Sequence, residues 1–275
     1  MLKTRVITAL VLLAVLLPIL FLLPAIYIGA FFLAALLAAA WEWSTLLAPQ
    51  ARRAAWLYAL FCLAIILFLL GMQNASWQFA LLLLSVIFWF FVAPFILAKG
   101  INLSLPKLRP FYVVLGLILL PATWFSLVFL RELGLVFLLT SIALVWVADI
   151  GAYFIGKAFG KRKLAIQISP GKSVEGAIGG LLLSYGYALL CVIYLPFEST
   201  LFGAWAIRFG WVAMFLMVTV LVAFSIFGDL FESQLKRLAG VKDSSHLLPG
   251  HGGVLDRVDA LIPTMPIAAL LAGFV

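Results

Sequence analysis

Long apolar runs alternate with short polar stretches along the whole chain. A membrane-spanning helix needs about 20 mostly apolar residues, and runs of that kind recur from one end to the other. The predicted apolar segments are residues 6–23, 25–41, 54–72, 76–98, 110–130, 134–155, 176–196, 210–228 and 260–275. The pattern therefore predicts an all-α, polytopic integral membrane protein with eight or nine transmembrane helices.

The two ends of this pattern decide between eight and nine helices. The first two segments form one run that contains Pro18 and Pro24, and its length favours a tight hairpin over one helix. Lys3 and Arg5 precede the run as in a signal peptide, but no convincing cleavage site follows, so we expect a retained first span. The last segment is short and contains two prolines, which makes it the weakest predicted span.

Composition supports one integral membrane domain over residues 1–275. The chain is 67% hydrophobic and 10% charged, whereas a soluble domain is about half apolar and a quarter charged. Cys62 and Cys191 both lie in apolar segments, so no disulfide framework is expected. Residues 1–130 carry no motif, and residues 131–275 form the half with candidate chemistry.

The placement of the cations predicts the orientation. If the N-terminus is cytoplasmic, 16 of the 18 lysines and arginines lie on the cytoplasmic side, and Arg131 and Arg208 are the exceptions. This distribution agrees with the positive-inside rule. The predicted cytoplasmic regions are residues 1–5, 42–53, 99–109, 156–175 and 229–259. The last two are long enough to be functional loops of the C-terminal half.

Seven of the ten acidic residues lie in two stretches, Ala148–Gly180 and Phe227–Asp259. Asp149 and Asp229 come at the cytoplasmic ends of predicted spans. A carboxylate at that depth is costly unless it meets a cation, which makes both residues candidates for function. A carboxylate that only reaches the lipid headgroups is the simpler alternative.

The acids near the C-terminus predict a metal site. Asp256 and Asp259 are three residues apart and would share one face of a helix. With Asp229 nearby, three carboxylates would repel one another unless a divalent ion bound, and all-oxygen ligands favour Mg²⁺. Asp229, Asp256 and Asp259 are therefore the predicted metal ligands. His246 and His251 are five residues apart without a nearby cysteine, so zinc is disfavoured.

Two glycine-containing turns are candidate phosphate sites. In "PGHGGV", Gly252 and Gly253 permit backbone N–H groups to approach a phosphate closely, and His251 is expected to touch substrate or hold the loop. The stretch "SPGKSVEG" looks like a P-loop, but Ile166 stands where that pattern needs glycine, and no strand is expected before it. Lys172 and Ser173 could still bind an anion at the start of the next helix.

The run "SQLKRLAGVKDSSHLLPGHGGVLDRVD" resembles the signature of the phosphatidate cytidylyltransferases, also called CDP-diacylglycerol synthases. The upstream "DIGAYFIGK" and "SPGKSVEG" resemble the same family. Every fixed position of the signature is present: Ser233, Lys236, Arg237, Lys242, Asp243, His251, Gly252, Gly253, Asp256, Arg257 and Asp259.

The resemblance implies a nucleotidyltransferase that converts CTP and phosphatidate into CDP-diacylglycerol and pyrophosphate for phospholipid synthesis. It implies a Mg²⁺ requirement, with a second cation as an option. We expect in-line attack of the phosphatidate phosphate on the CTP α-phosphorus. The residues expected to be catalytic are Asp229, Asp256, Asp259 and Lys242. The residues expected to bind substrate are Lys172, Ser173, Ser233, Lys236, Arg237, Asp243, His251, Gly252, Gly253 and Arg257.

The same reading predicts a multi-pass protein of the cell inner membrane whose active site faces the cytoplasm. Its partners would be the two substrates and membrane lipid, with no nucleic acid, and a homodimer would suit the family. A CTP-dependent lipid kinase is the related alternative, distinguished by making phosphorylated lipid and CDP. CDP-alcohol phosphotransferases are disfavoured because their motif is missing, and an anion transporter because no repeat and no midplane polar site is visible.

Overall fold

The computed structural model describes residue 14, residues 18–72 and residues 75–275, and this part of the chain is almost entirely helical. The all-α prediction is confirmed. The helices in chain order are α1 (Ala25–Leu47), α2 (Arg52–Gly71), α3 (Ala75–Ile87), α4 (Ala93–Ala98), α5 (Leu105–Leu133), α6 (Leu135–Phe159), α7 (Val174–Tyr194), α8 (Leu201–Leu238), α9 (Leu255–Val258) and α10 (Leu261–Ala272).

Membrane-spanning character is also confirmed. Within the described residues, seven helical stretches are long and apolar enough to cross a bilayer, with α3 and α4 counted as one stretch through the π-turn Phe88–Val92. The first predicted segment lies mostly outside the described residues, although residues 18–22 are helical and a break at Pro24 precedes α1. A total of eight or nine helices and a cytoplasmic N-terminus therefore stay predictions.

The last apolar segment forms a short helix inside the bundle. Helix α10 has 12 residues, or about 18 Å at 1.5 Å per residue, which is shorter than the roughly 30 Å hydrocarbon core. Ten of its residues are buried, and it packs mainly against α5 and α8. The hydroxyl of Thr123 on α5 donates to the Ile262 carbonyl at 3.3 Å. Neighbouring helices therefore enclose α10, which fixes the residues before it relative to the rest of the bundle.

Helix α8 is longer than the predicted span 210–228 at both ends. It bends at Gly210, whose φ of 86° favours glycine, and it continues as a helix to Leu238. Residues 229–238, predicted as the start of a loop, are therefore the last turns of α8. The side-chain amide of Gln234 on these turns donates to the Ile96 carbonyl at 2.9 Å and to that of Gly100 at 2.5 Å. These bonds fix the end of α8 against α4.

Among the described residues, helices α6 and α7 make the most extensive contact of any helix pair. Small residues at their interface let the two backbones approach. A Cβ on Gly180 would lie 2.6 Å from the Ala148 carbonyl, and one on Gly176 would lie 2.7 Å from the Ala152 carbonyl. Larger side chains would separate the helices, so these glycines hold Asp149 of α6 beside the start of α7.

A two-stranded antiparallel hairpin connects α6 to α7. Its strands are β1 (Lys163–Ala165) and β2 (Ser169–Ser173), so the expectation of no strand near "SPGKS" is wrong. The lack of glycine at Ile166 still excludes a P-loop. The Glu175 carboxylate, on the first turn of α7, accepts bonds from the backbone N–H groups of Lys161 and Arg162. These contacts hold the hairpin, and with it Lys172, against the helix pair.

Candidate active site

The signature residues gather at one end of the bundle, where α1, α6 and α8 end and α7 begins. Two groups of charged side chains lie there. The first contains Lys172 and the acids Asp149, Asp229 and Asp259. The second contains Lys236 with Glu232 and Asp256. Glu232 interacts electrostatically with both Asp256 and Asp259, so the two groups adjoin.

The first group is built around a lysine from the hairpin. The Lys172 Nζ atom lies 2.6 Å from Asp229 Oδ2, and the two side chains are 24% and 35% exposed. Ser233, one turn along α8, donates its hydroxyl to Asp229 Oδ1 at 3.3 Å. Ser173, the neighbour of Lys172, is buried and accepts a bond from the Gly176 N–H at 3.1 Å. Ser173 is thus the N-cap of α7, a role that orients β2.

Asp259 adds a second carboxylate to this group. Its Oδ1 atom accepts the Ala260 N–H at 2.8 Å. Burial raises the pKa of Asp259 to about 8, and the negative charges of Asp229 and Asp149 act in the same direction, while Lys172 and the Ala260 N–H oppose them. The single lysine therefore does not neutralise the three acids, and an additional positive charge would stabilise this group.

The donor set of this group fits a hard divalent cation. Carboxylate oxygens are the ligands that Mg²⁺ prefers, and Mg²⁺ commonly takes one or two of them and completes its shell with water and substrate phosphates. Asp229 and Asp259 match that requirement. In the described part of the chain, no group of three or more His, Cys, Asp or Glu side chains is arranged to hold a metal ion.

The second group is more enclosed and holds its lysine between two acids. Lys236 Nζ lies 2.6 Å from Asp256 Oδ1 and 2.5 Å from Glu232 Oε2, and the lysine side chain is 13% exposed. The sequence assigned Lys236 to substrate, but in this structure both acids already contact it. Glu232 did not figure among the predicted residues. Glu232 and Lys236 are four residues apart on one helix, a spacing that lets oppositely charged side chains meet, and it could have predicted this ion pair.

Asp256 organises the loop before α9. Its Oδ2 atom accepts the Gly253 N–H at 2.7 Å, the Ser244 N–H at 3.0 Å and the Ser244 hydroxyl at 2.9 Å. Burial alone would raise the pKa of Asp256, but the bonds from Lys236 and Gly253 prevail and lower it to about 2. Both carboxylate oxygens of this predicted metal ligand are therefore in contact with donors of the protein itself.

The loop between α8 and α9 presents the remaining signature residues. Lys242 and Asp243 are exposed on it. Gly252 has a φ of 82°, and a Cβ there would lie 2.7 Å from Asp256 Oδ2, so glycine is required. Arg237, at the exposed end of α8, directs its Nε atom to the Ile168 carbonyl of the hairpin at 3.4 Å.

Arg257 and His251 lie together where the loop meets the bundle. The Arg257 Nε and Nη2 atoms donate to the His251 carbonyl at 3.1 and 2.5 Å. The His251 Nδ1 atom is buried without a hydrogen-bond partner among the described residues. Both side chains line a cavity of about 570 Å³ whose other walls are mostly apolar residues of α1, α5 and α6. A polar end is thus joined to an apolar interior.

A residue from the N-terminal half also contributes to this region. Glu42 on α1 is buried and accepts bonds from Ser244 and Ser245 of the loop and from the backbone N–H groups of Val254 and Leu255. The sequence placed Glu42 in the predicted cytoplasmic region 42–53, whereas α1 extends to Leu47. An acid inside a membrane helix was the signal that could have identified it.

The fold and the site define a polytopic α-helical membrane protein with a group of charged side chains beside an apolar cavity. The cytidylyltransferase family model matches residues 3–275, and the chain belongs to this family of nucleotidyltransferases.

Curated relatives support the assignment. A phosphatidate cytidylyltransferase of Pseudomonas aeruginosa is 40% identical over 274 residues, which cover 98% of this chain and 97% of that protein. The enzyme of the same name from Haemophilus influenzae is 50% identical over 143 residues, or 52% of this chain and 47% of the relative. The one from Bacillus subtilis is 40% identical over 144 residues, or 52% and 49%.

Proposed function

We propose that this protein transfers the cytidylyl group of CTP to phosphatidate, giving CDP-diacylglycerol and pyrophosphate. The observation that carries the proposal is the cavity described above, whose polar end contains His251 and Arg257 and whose interior is apolar. A lipid with a phosphate headgroup has the same division between a charged end and hydrocarbon chains. The full-length similarity to a phosphatidate cytidylyltransferase supports the same substrate.

The lipid would enter from the bilayer between the helices. Its acyl chains would lie against α1, α5 and α6, and Arg257 would attract its phosphate. CTP would approach from the aqueous side, where Lys242 and Arg237 are exposed. Because both substrates are polyanions, these cations would offset the repulsion between them.

The reaction needs no strong general base. A phosphomonoester has a second pKa of about 6, so the phosphatidate phosphate is largely a dianion near neutral pH. One of its oxygens would form a bond to the α-phosphorus of CTP, and the bond from that phosphorus to the oxygen bridging to the β-phosphate would break. The electron pair of the broken bond would leave with pyrophosphate. Lys172 and Lys242 would stabilise the charge that develops on these phosphates.

Mg²⁺ would be held at the first charged group, with Asp229 and Asp259 as its protein ligands. When bound, the ion would neutralise negative charge on the nucleotide phosphates. Asp256 stays a predicted ligand, although its contacts to Lys236, Ser244 and Gly253 favour a role in holding the loop. A second cation stays an option, since the acids of the two groups outnumber their lysines.

The cation distribution supports a cytoplasmic site in the cell inner membrane, with the N-terminus on the same side. The substrates are consistent with that side, because CTP is a cytosolic nucleotide. A homodimer stays a prediction that rests on the family alone.

The proposal is tested by incubating the purified protein in detergent with radiolabelled CTP and phosphatidate over a range of Mg²⁺ concentrations. We expect CDP-diacylglycerol and pyrophosphate in equal amounts, and loss of both after chelation. Asp229→Asn should reduce turnover at least 100-fold, while Glu132→Gln, an exposed acid at the far end of α5, should not. Formation of CDP and a phosphorylated lipid would support a lipid kinase instead. Absence of any nucleotide product with wild-type protein would refute the proposal.

A further inference from the structure

Glu42 is the buried acid that connects the N-terminal half of the chain to the signature. Its relative exposure is 0%. A carboxylate removed from water is costly unless hydrogen bonds or cations compensate it. Compensation at this position comes from four donor groups within residues 244–255, one of which, the Ser244 hydroxyl, is shared with Asp256.

The four contacts use both carboxylate oxygens equally. Oε1 accepts the Ser245 hydroxyl at 2.5 Å and the Val254 N–H at 3.0 Å. Oε2 accepts the Leu255 N–H at 2.5 Å and lies 3.2 Å from the Ser244 hydroxyl. One side chain of α1 therefore contacts both ends of the segment that contains His251, Gly252 and Gly253.

The chemistry of these contacts selects glutamate. An ionised carboxylate only accepts hydrogen bonds, and each of its oxygens can accept two. A glutamine would direct its NH₂ group toward two donors in either orientation of the amide. An aspartate would be one methylene too short to reach both ends of the segment. Glu42 thus matches its surroundings in charge and in length.

The contacts of Glu42 continue to the charged groups. The Ser244 hydroxyl lies between Glu42 Oε2 and Asp256 Oδ2, at 3.2 and 2.9 Å. Asp256 in turn contacts Lys236 at 2.6 Å. A Cβ on Gly253 would overlap with Ser244 Oγ and Glu42 Oε1. The second glycine of the "HGG" motif is therefore required by the close approach of Glu42.

We infer that Glu42 is a positioning residue that holds residues 244–255 in the conformation needed for cytidylyl transfer. It acts through Ser244 and Asp256 and does not itself touch substrate. The inference rests on the proposed function, because its principal readout is the rate of that reaction.

The test compares Glu42→Gln with wild type and with the control Glu132→Gln. A misplacement of about 1 Å at a catalytic site can cost on the order of 100-fold in rate, so we expect Glu42→Gln to lower kcat by about 10- to 100-fold. The KM for CTP should change less than about threefold, because the phosphate-binding cations remain. Hydrogen–deuterium exchange should rise in residues 244–255 and stay unchanged in α10. Glu42→Asp should recover part of the lost kcat.

The outcomes separate this inference from the proposed function. A folded Glu42→Gln variant with wild-type kcat and wild-type exchange would overturn the inference. If wild-type protein lacked the transferase activity, the proposed function would fail, and the exchange measurement would still decide whether Glu42 holds the loop.

A second variant covers the case in which Glu42→Gln does not fold. Ser245→Ala removes one of the four donors from the exposed side of the contact, and we expect a two- to fivefold lower kcat with faster exchange in residues 244–255. Unchanged kcat and exchange in Ser245→Ala would then overturn the inference. The control Glu132→Gln should show neither change.

Discussion

Replacement of Asp256 by asparagine should release the loop before α9. Asp256 contacts the Lys236 ammonium at 2.6 Å, the Gly253 N–H at 2.7 Å and the Ser244 N–H at 3.0 Å. An asparagine keeps one acceptor oxygen, but its NH₂ group must face either the lysine or the loop donors. The substitution therefore removes the charge and creates one repulsive contact.

The magnitude follows from the pKa. Aspartate usually has a pKa near 3.8, and Asp256 is lowered to about 2, which corresponds to about 2 kcal/mol at 1.36 kcal/mol per unit. Because the folded-state pKa is the lower one, this stabilisation is complete above the usual pKa and disappears as the pH falls toward 2. Near neutral pH, its loss should shift the equilibrium between closed and open loop by about 30-fold.

Hydrogen–deuterium exchange resolved to single amides measures this shift directly. The amides of Ser244 and Gly253 should exchange about 30-fold faster in Asp256→Asn, with Glu132→Gln as the control. A parallel Mg²⁺ titration distinguishes the two roles of Asp256. An unchanged half-saturating Mg²⁺ concentration indicates a loop role alone, and a raised one indicates a metal ligand as well. Wild-type exchange at both amides would refute the reasoning.

Three further substitutions test the remaining contacts. Gly253→Ala should lower kcat at least tenfold, because its methyl group overlaps with Ser244 and Glu42; wild-type kcat would contradict the packing. The effects of Lys172→Gln and Asp229→Asn on turnover should be non-additive in the double variant by about fivefold, or about 1 kcal/mol for a partly exposed ion pair. Strictly additive effects would mean that the two residues are not coupled. Gly180→Val should separate α6 from α7 and destabilise the protein by about 1–3 kcal/mol. Thermal unfolding in detergent measures this effect, and an unchanged melting temperature would show that the two helices are not tightly packed at Gly180.

Most of the helices could be predicted because the bilayer imposes a simple rule on length and polarity. The predicted segment 110–130 falls within α5, and 134–155 falls within α6 except for Gly134. The segment 76–98 matches the stretch formed by α3, the π-turn and α4. Boundaries were less accurate where helices continue beyond the apolar run. Helix α8 extends to Leu238, since polar side chains at its end are paired with the loop and the hairpin instead of facing lipid.

The chemistry of the site could be predicted only as a set of residues. The signature identified Lys236, Asp256 and Asp259, and the position of Asp229 at the end of a predicted span identified that residue. It did not indicate which acid contacts which lysine. The division into a group around Lys172 and a group around Lys236 depends on how β2 and α8 lie relative to each other, and no local pattern encodes that arrangement.

The class of the fold and the family could be recognised from the amino-acid sequence, as could the concentration of charged residues in two stretches. These properties follow from composition, periodicity and a motif confined to one stretch, and each is local. The contacts of Glu42 with residues 244–255, the contacts of Asp256 with the loop donors and the enclosure of α10 became visible in the folded chain. A buried charge is stable only where it meets partners, and folding is what brings those partners together from distant segments.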